Sequence, residues 1–498
     1  MSICVLNKIS RLEPKLQIMS KVRLSKAVFQ GKSEEGKRGS SEKKTALDMI
    51  ASMKTLLNSQ EFKAACRFNT KQFTRHRILS FTVLISFLLN MLTKTLQIEL
   101  ERFLRVLKGE DTEATVSKQA FSKARKKLSE QAFIRLNERL LTEFYHDNTY
   151  TTWKGYRLVG IDGSTLQLPT YPELVHEFGE VSNQSGSSMA MGKLSVMYDV
   201  LNDLSLDTIL DHYTSEERAL ALRHLDRLAS LDRQTEGKQG HQGDLLLFDM
   251  GYPALYFMVL LALQGRDFVI RSSGAFLQEV QDVVRAGLAD VVIPVALAKP
   301  GRPLPAHLKE LAPTLDPQMP FTIRVVTLCL EDGTQEILLT TLRDQTKFPY
   351  TDFQELYHKR WGSETNYDVL KNGLEIENFT GKSALSVKQD VHATVLTNNI
   401  RGLIQWELAA ELAEEVAKTR EQSLPETKYC YRLNTHLAIG RLKDDLVTLL
   451  LGQGDLQAFY SRLKQRMKRS LVPIRPGRQF PHKRKNHQKY TMTKRRAL

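Results

Sequence analysis

Two short apolar runs, each closed by an acid, restrict this chain more than any other feature. One reads Arg157-Leu-Val-Gly-Ile-Asp162 and is followed by Gly-Ser-Thr; the other reads Asp244-Leu-Leu-Leu-Phe-Asp249 and is followed by Met-Gly-Tyr. Neither alternates with polar residues, so each reads as a buried strand that ends at its acid before a turn. A lone Asp at a strand end is commonly a turn former. Two of them closing buried strands can be brought to one sheet edge, where their carboxylates meet.

A third acid comes from a different pattern. Between Tyr357 and Lys371, the residues Tyr357, Arg360, Glu364 and Lys371 follow at steps of three, four and seven. On a helix, at about 100° per residue, the four fall within about 60° of arc. Thr351 with Gln354 predicts a capping-box start and Gly373 a stop, so the segment reads as one helix. A solvated face has the same charge content, but Trp361 on one flank and Leu356 and Tyr367 on the other set Glu364 amid apolar surface. Asp368 is placed to pair with Lys371 at i, i+3. A single carboxylate among a guanidinium, an ammonium and a phenol suits a cation ligand beside a polyanion.

Three carboxylates forced together repel unless divalent cations neutralise them. Oxygen donors without a Cys or His cluster favour Mg2+ or Mn2+. Two such ions suit in-line displacement at phosphorus, with a water or a 3′-hydroxyl as nucleophile.

Charge points to a polyanionic partner. The net charge of +15 is concentrated at the ends: residues 462–498 hold 14 Lys or Arg and no Asp or Glu, residues 1–48 carry +6, and residues 49–461 carry −5. Basic arms on a mildly acidic body grip a polyanion without reading it. The four cysteines (Cys4, Cys66, Cys329, Cys430) are far apart and form no Cys-x-x-Cys pair. That disfavours a disulfide framework or a zinc site and suits a reducing cytosol. Ile78 to Leu92 is apolar but shorter than the roughly 20 residues a membrane helix needs. With Ser80, Thr82, Ser86 and Asn90 inside it, the run reads as a buried core helix. No secretory signal precedes it, so a cytoplasmic protein without a membrane segment is expected.

In chain order, 1–48 reads as a basic flexible leader, with Gly31 to Lys44 as a linker, and 49–148 as a helical domain. Within the latter, Ser117 caps a helix whose Ala120, Phe121, Ala124 and Leu128 are expected to face a core. Lys118, Gln119, Ser122, Lys123, Arg125 and Lys126 are expected to face out, offering both phosphate grips and base readers. An ordinary solvated helix would carry the same face. From Trp153 the pattern changes. A Gly/Ser-rich loop is expected from Val181 to Gly192, then a hairpin of Leu194–Tyr198 and Leu204–Leu210 around Asn202-Asp203. Thr214 with Glu217 predicts a helix to about Leu228, Pro253 a helix to about Leu263, and Asp267–Ser272 a strand. Residues 273–346 are strand-rich (Val291–Leu297, Phe321–Leu330, Gln335–Leu342, with an Asp332-Gly333 turn), and a helix follows from Val387 to about Ala410. Residues 411–498 read as a helical C-terminal region ending in the basic tail.

The spacing Tyr-x2-Arg-x3-Glu-x6-Lys, met by Tyr357, Arg360, Glu364 and Lys371, resembles the signature of DDE transposases of the bacterial insertion-sequence-four family. Asp162-Gly-Ser-Thr and Asp249-Met-Gly-Tyr resemble that family's first and second aspartate motifs. The resemblance, over roughly 110–410, implies an α/β fold: a ribonuclease-H-like catalytic core at 149–410 with a β-rich insertion at about 273–346. It implies Asp162, Asp249 and Glu364 as catalytic ligands of two Mg2+ or Mn2+ ions. Tyr357, Arg360 and Lys371 would hold phosphates, and the 118–126 helix would bind the element's DNA ends. The implied partners are terminal inverted repeats and target DNA, with a homodimer in the synaptic complex and cut-and-paste strand cleavage and transfer. Family members that cut through a hairpin stack a flipped base on a tryptophan of the insertion. Here the tryptophans are Trp153, Trp361 and Trp406, so Phe321 or Phe348 would have to substitute. A catalytically silent transposase-derived DNA-binding protein or repressor, and a non-transposing metal-dependent nuclease, are the alternative readings.

Overall fold

The computed structural model describes residues 44–474 apart from 91–93, 149, 183–185, 187, 236–242, most of 299–319, 331–332 and 422–429. The expected flexible leader, up to residue 43, and the tail beyond 474 lie outside the described residues. Helices α1 (Ala46–Asn58), α2 (Gln60–Ala65), α3 (Phe81–Leu89), α4 (Leu96–Lys108), α5 (Lys118–Arg125) and α6 (Gln131–Asp147) come first. Then follow β1 (Tyr156–Gln167), α7 (Pro172–Phe178), β2 (Glu180–Ser182), β3 (Ser188–Asp199), β4 (Leu204–His212), α8 (Glu217–Thr235), β5 (Gly243–Phe248), α9 (Leu255–Leu263) and β6 (Asp267–Ser272). Next are α10 (Gln278–Arg285), β7 (Asp290–Val295), β8 (Phe321–Cys329), β9 (Gln335–Thr340), α11 (Asp352–His358) and α12 (Trp361–Asp368), which runs into a π-turn at Val369–Gly373. The long α13 (Ala384–Glu421), β10 (Cys430–Leu433), α14 (Thr435–Leu442), α15 (Asp445–Leu451), α16 (Leu456–Lys468) and β11 (Leu471–Ile474) complete the chain.

One mixed sheet organises these elements, in the order β2-β3-β1-β5-β6-β9-β8-β7, with β4 also paired to β3. β1 is antiparallel to β3 and parallel to β5, and β5 is parallel to β6. Arg157 stands opposite Asp244 in the β1–β5 register and binds it through Nε (2.7 Å) and Nη2 (3.0 Å), both side chains buried. Asp232 and Arg266 complete the network: Arg157 Nη2 to Asp232 at 3.1 Å, and Arg266 Nη1 to Asp232 and Asp244 at 3.0 and 3.1 Å.

Both sheet faces are covered, which is why the two apolar runs do not alternate. Val159, Ile161, Leu246, Phe248 and Ile270 join the large core that includes α13 and the N-terminal helices. Leu158, Leu245, Leu247 and Val269 pack on the other face, under Phe353, Leu356 and Tyr357 of α11.

Several expectations change. β1 does not end at Asp162; Gly163, Ser164 and Thr165 remain paired to Ser195, Leu194 and Lys193 of β3. The apolar run stops there because β5 stops, leaving that side of β1 open. Most of the described part of the expected 181–192 loop is strand, since Ser188–Gly192 belongs to β3. The strands expected in 273–346 are present as β7, β8 and β9, and they extend the central sheet through the antiparallel β6–β9 pair. Asp332 of the expected turn lies outside the described residues. The expected core helix is α3, capped by Ser80, whose hydroxyl accepts from the Val83 amide. Thr351 caps nothing: it is itself helical and makes no side-chain cap bond.

The Arg157–Asp244 pair is expected to set the register of β1 on β5. Arg157→Met leaves Asp244 buried without its two-bond partner, and should cost about 3 kcal/mol. Equilibrium urea unfolding measures this; a loss within experimental error would deny the pair that role.

Candidate active site

The β1–β5 register, carried two residues beyond its last pair of Gly160 and Leu247, sets Asp162 level with Asp249. Neighbouring strands lie about 4.8 Å apart, so the two carboxylates are neighbours. Both continue the face of Leu158 and Leu247, the face that α11 covers. Asp162 Oδ1 accepts from the Gly163 amide at 2.8 Å, and Asp249 Oδ1 accepts from the Gly251 amide at 2.8 Å. Burial, with the Asp249 and Glu217 charges, pushes the Asp162 carboxyl up to about 6; the Gly163 amide and Arg360 act against this.

Glu364 arrives on α12. A Cβ on Gly160 would overlap Ser363 Oγ, and one on Gly362 would lie 3.1 Å from Val200 Cβ, so the glycines let α12 sit directly on the sheet. Arg360 bridges what it carries to the strand: Nη2 donates to Glu364 Oε1 at 2.6 Å, and Nη1 lies 3.9 Å from Asp162 Oδ2. Arg360 Nε is buried without a hydrogen-bond partner among the described residues. Glu364 is turned toward this guanidinium and is 45% exposed. The structure thus brings Asp162 and Asp249 together and holds Glu364 one guanidinium away. Among the described residues, no three Asp, Glu, His or Cys side chains converge tightly enough to enclose a cation.

The segment expected to be one helix is broken. Lys359 and Arg360 form the link between α11 and α12, and Lys371 lies in the π-turn. Tyr357 is 3% exposed and its hydroxyl donates to the Phe248 carbonyl at 3.2 Å, bracing the strand end before Asp249. Tyr367 does the same for β1, donating to the Asp162 carbonyl (2.7 Å), with the Leu194 carbonyl at 3.1 Å. Lys371 Nζ donates to Ser164 Oγ and the Thr165 carbonyl, both at 2.8 Å, so Asp368 takes Asn372 as its partner instead. Of the aromatic residues considered for base stacking, Phe348 is buried against Trp153 (5.9 Å, 19° between rings), which removes it from that role.

On α5, Lys118, Gln119, Ser122, Lys123 and Lys126 are exposed, as is Ala120. Arg125 is not: it is 3% exposed and binds Gln389 (2.8 Å), Thr380 (2.6 Å), the Ser386 carbonyl (2.9 Å) and Asp390 (2.8 Å). Arg125 is the last residue of the helix, and of the six side chains expected to face out it is the one turned inward, to a carboxylate.

The carboxylates of Asp162 and Asp249 meet beside the Arg360 guanidinium, and the Asp249 charge helps to raise the proton affinity of Asp162. That donor chemistry fits a hard divalent cation.

Residues 153–400, a stretch that begins at Trp153 and contains all three acids, match the family model of the transposase DDE domain. The chain belongs to the DDE transposases of the insertion-sequence-four type. It is 22% identical over 291 residues to the transposase InsG for insertion sequence element IS4 of Escherichia coli (strain K12). That match covers 57% of this chain, and it spans 60% of the relative's length. A solved structure of piggyBac transposase in a synaptic complex with hairpin DNA is similar at a TM-score of 0.42 and 8% identity, over 84% of this chain and 85% of that one. Among the described residues of the transposase, no helix is long and apolar enough to cross a membrane.

Sequence reasoning missed Glu217. Read there as the far half of a capping box, it instead approaches the acids, while Thr214 Oγ1 pairs with His212 Nδ1 at 2.9 Å. No spacing rule links it to the triad, so nothing in the motif pointed to it.

Because the Asp162 carboxyl titrates higher folded than unfolded, its stabilising contribution is fully present below about 3.8 and is lost as pH rises through about 6. Asp162→Asn should therefore raise the metal-free melting temperature at about pH 7.5, by a stabilisation on the order of 3 kcal/mol, and change little near pH 3.5. Thermal melts in chelator at both pH values test this; an Asn variant less stable at the higher pH would contradict it.

Proposed function

We propose that this transposase binds the ends of its insertion sequence and catalyses metal-dependent DNA strand cleavage and strand transfer. The observation that carries the reading is the levelling of Asp162 with Asp249 on adjacent parallel strands, beneath the Arg360–Glu364 pair. The strand pattern supports a ribonuclease-H-like core: an antiparallel β1-β3-β4 meander with β5 and β6 added in parallel beside β1.

Asp162, Asp249 and Glu364 would hold the divalent cations, Mg2+ or Mn2+ and two in number. Cations bound there activate a water or 3′-hydroxyl and stabilise the leaving oxygen in displacement at phosphorus. The chain's own groups prepare that site. Tyr357 braces the end of β5 and Tyr367 the middle of β1 through backbone carbonyls, which keeps the two aspartates side by side. Arg360 serves as countercharge in the DNA-free protein, and its planar fork suits a phosphate of the cut end. Lys371 takes a second phosphate from its place beside Ser164. Tyr357 is assigned to bracing rather than to phosphate, because its hydroxyl is buried on Phe248.

The exposed face of α5, with Lys118, Gln119, Ser122, Lys123 and Lys126, is assigned to the DNA ends, within a helical end-binding domain at 49–148. The catalytic domain is 149–410, with 273–346 as its β-rich insertion and 411–498 as the C-terminal region. Terminal inverted repeats and target DNA are the partners, engaged by a homodimer in the synaptic complex. For a hairpin route the insertion offers Phe321.

Asp162→Asn, Asp249→Asn and Glu364→Gln should each abolish cleavage of the element's ends in Mg2+ while end binding persists. Substantial cleavage by any one variant removes that residue from the triad. Arg360→Ala should weaken hold on precleaved ends, by roughly 1.5–3 kcal/mol for each charge-assisted bond removed. Rescue by added Mn2+ alone would make Arg360 part of the cation site instead.

The basic tail is shorter than its composition suggests. Leu463 and Met467 of α16 are buried, Lys464 binds Glu407 and Glu411, and Lys468 binds Glu415. Residues 475–498 hold nine Lys or Arg and no acid. Deleting 475–498 should flatten the dependence of log K on log salt by about 0.9 for each phosphate the segment neutralises, leaving preference for the cognate ends intact. An unchanged slope would show that this segment is not a DNA arm.

A further inference from the structure

Glu217 stands outside the triad, yet the fold brings it close enough for its charge to act on Asp162. It opens α8 just after β4, and its surroundings are unusual in what they omit. A Cβ on Gly163, the residue after Asp162, would lie 2.8 Å from Glu217 Oε1. A Cβ on Gly251 would lie 3.1 Å from Asp249 Oδ1 and 3.7 Å from Glu217 Oε2. Gly251 thus keeps open the path between this carboxylate and Asp249, and Gly163 lets it close on the strand next to Asp162. Gly163 follows Val159 and Ile161 along the strand, so Glu217 comes from the sheet face opposite the one that Asp162 shares with α11.

A second observation lies beside it. Tyr252 is fully buried, and its hydroxyl has no hydrogen-bond partner among the described residues. The charges of Glu217, Asp162 and Asp249 all bear on this phenol. A fully buried hydroxyl left without a partner beside these charges leaves room for a further oxygen ligand, such as a cation's water.

The simpler account is that Glu217 serves Lys193, whose Nζ lies 3.0 Å from Oε1. That pair is part-exposed, with Glu217 at 32%, and pairs of this kind stabilise little. Nor does it explain the clearance at Gly251 or the unpartnered Tyr252.

We propose that Glu217 is a further cation ligand of this site, supplied from the side opposite Glu364, with Lys193 as its countercharge until the cation binds. The inference rests on the reading of Asp162 and Asp249 as cation ligands.

The test is Mn2+ binding to the full-length, DNA-free protein, followed by calorimetry and by the Mn2+ paramagnetic resonance signal. Glu217→Gln should weaken binding by about tenfold or more, the loss caused by removing even an outer partner of a metal ligand. Lys193→Met, which frees the carboxylate, should tighten it. Glu217→Asp, which keeps the charge on a shorter stem, guards against a folding defect and should fall between wild type and Glu217→Gln. Binding unchanged in Glu217→Gln but lost in Asp162→Asn overturns this inference and leaves the aspartates standing. Binding unchanged in both overturns the site itself. If Glu217→Gln and Lys193→Met merely lower the melting temperature together, with Mn2+ affinity unmoved, the pair is structural and the proposal fails.

Discussion

The buried Arg157–Asp244 pair governs everything at the other end of the same two strands. Its members face each other in the parallel register, and each stands five residues before one of the two candidate aspartates, Asp162 and Asp249. A slip of one residue would unpair a buried guanidinium and turn one aspartate to the opposite face. The cost of an uncompensated buried charge, several kcal/mol, is thus a penalty on misregister as well as on unfolding. The position of Asp162 beside Asp249 is inherited from an ion pair that takes no part in the chemistry.

That position is unfavourable on its own terms, since burial and like charge both resist ionisation of Asp162. The fold offsets this in two ways. Arg360 supplies a cation, reaching Asp162 while holding Glu364. Backbone bonds supply rigidity, with Tyr357 on Phe248 and Tyr367 on Asp162 itself, so repulsion cannot be relieved by parting the strands. Like charges held together in this manner would be relieved by a divalent cation, which is the ligand the proposed function requires.

Much of this was legible in sequence, for identifiable reasons. Asp162 and Asp249 stood out because strands buried on both faces leave apolar runs without alternation, and an acid ending such a run is conspicuous. The four-residue spacing exposed Glu364 and Arg360 because i, i+4 neighbours meet on any helical segment, even one broken at Lys359. What failed was the orientation of individual side chains. Arg125 carried the periodicity of an exposed residue, but its partner Asp390 lies 265 positions later and no local pattern could announce it. Tyr357 reads as a phosphate donor until the Phe248 carbonyl is known to be within reach. Glu217 was hidden by a plausible local role, a capping box that the chain does not form. Contacts between distant segments left no periodic trace, and these decide which charged groups face the ligand.

The long α13 shows how such distant contacts are concentrated. Gln389 and Asp390 take Arg125 of α5, and Asn399 binds Asn137 of α6 and the Ser205 carbonyl of β4. Asn398 Nδ2 donates to Asn366 on α12, two residues from Glu364, and Arg401 binds Asp203 in the β3–β4 turn. Glu407 accepts from the Ala46 amide and the Tyr460 hydroxyl, which ties in α1 and α16. The α13 side chains that make these bonds are all buried, and removing a partner would leave an unsatisfied group costing about 1–3 kcal/mol. The helix therefore cannot tilt against one neighbour without breaking bonds to others. The α5 face assigned to the DNA ends and the carboxylates assigned to the cut are joined through the same rigid rod. An end docked on α5 would meet an active site whose distance from it is fixed by packing rather than by a linker.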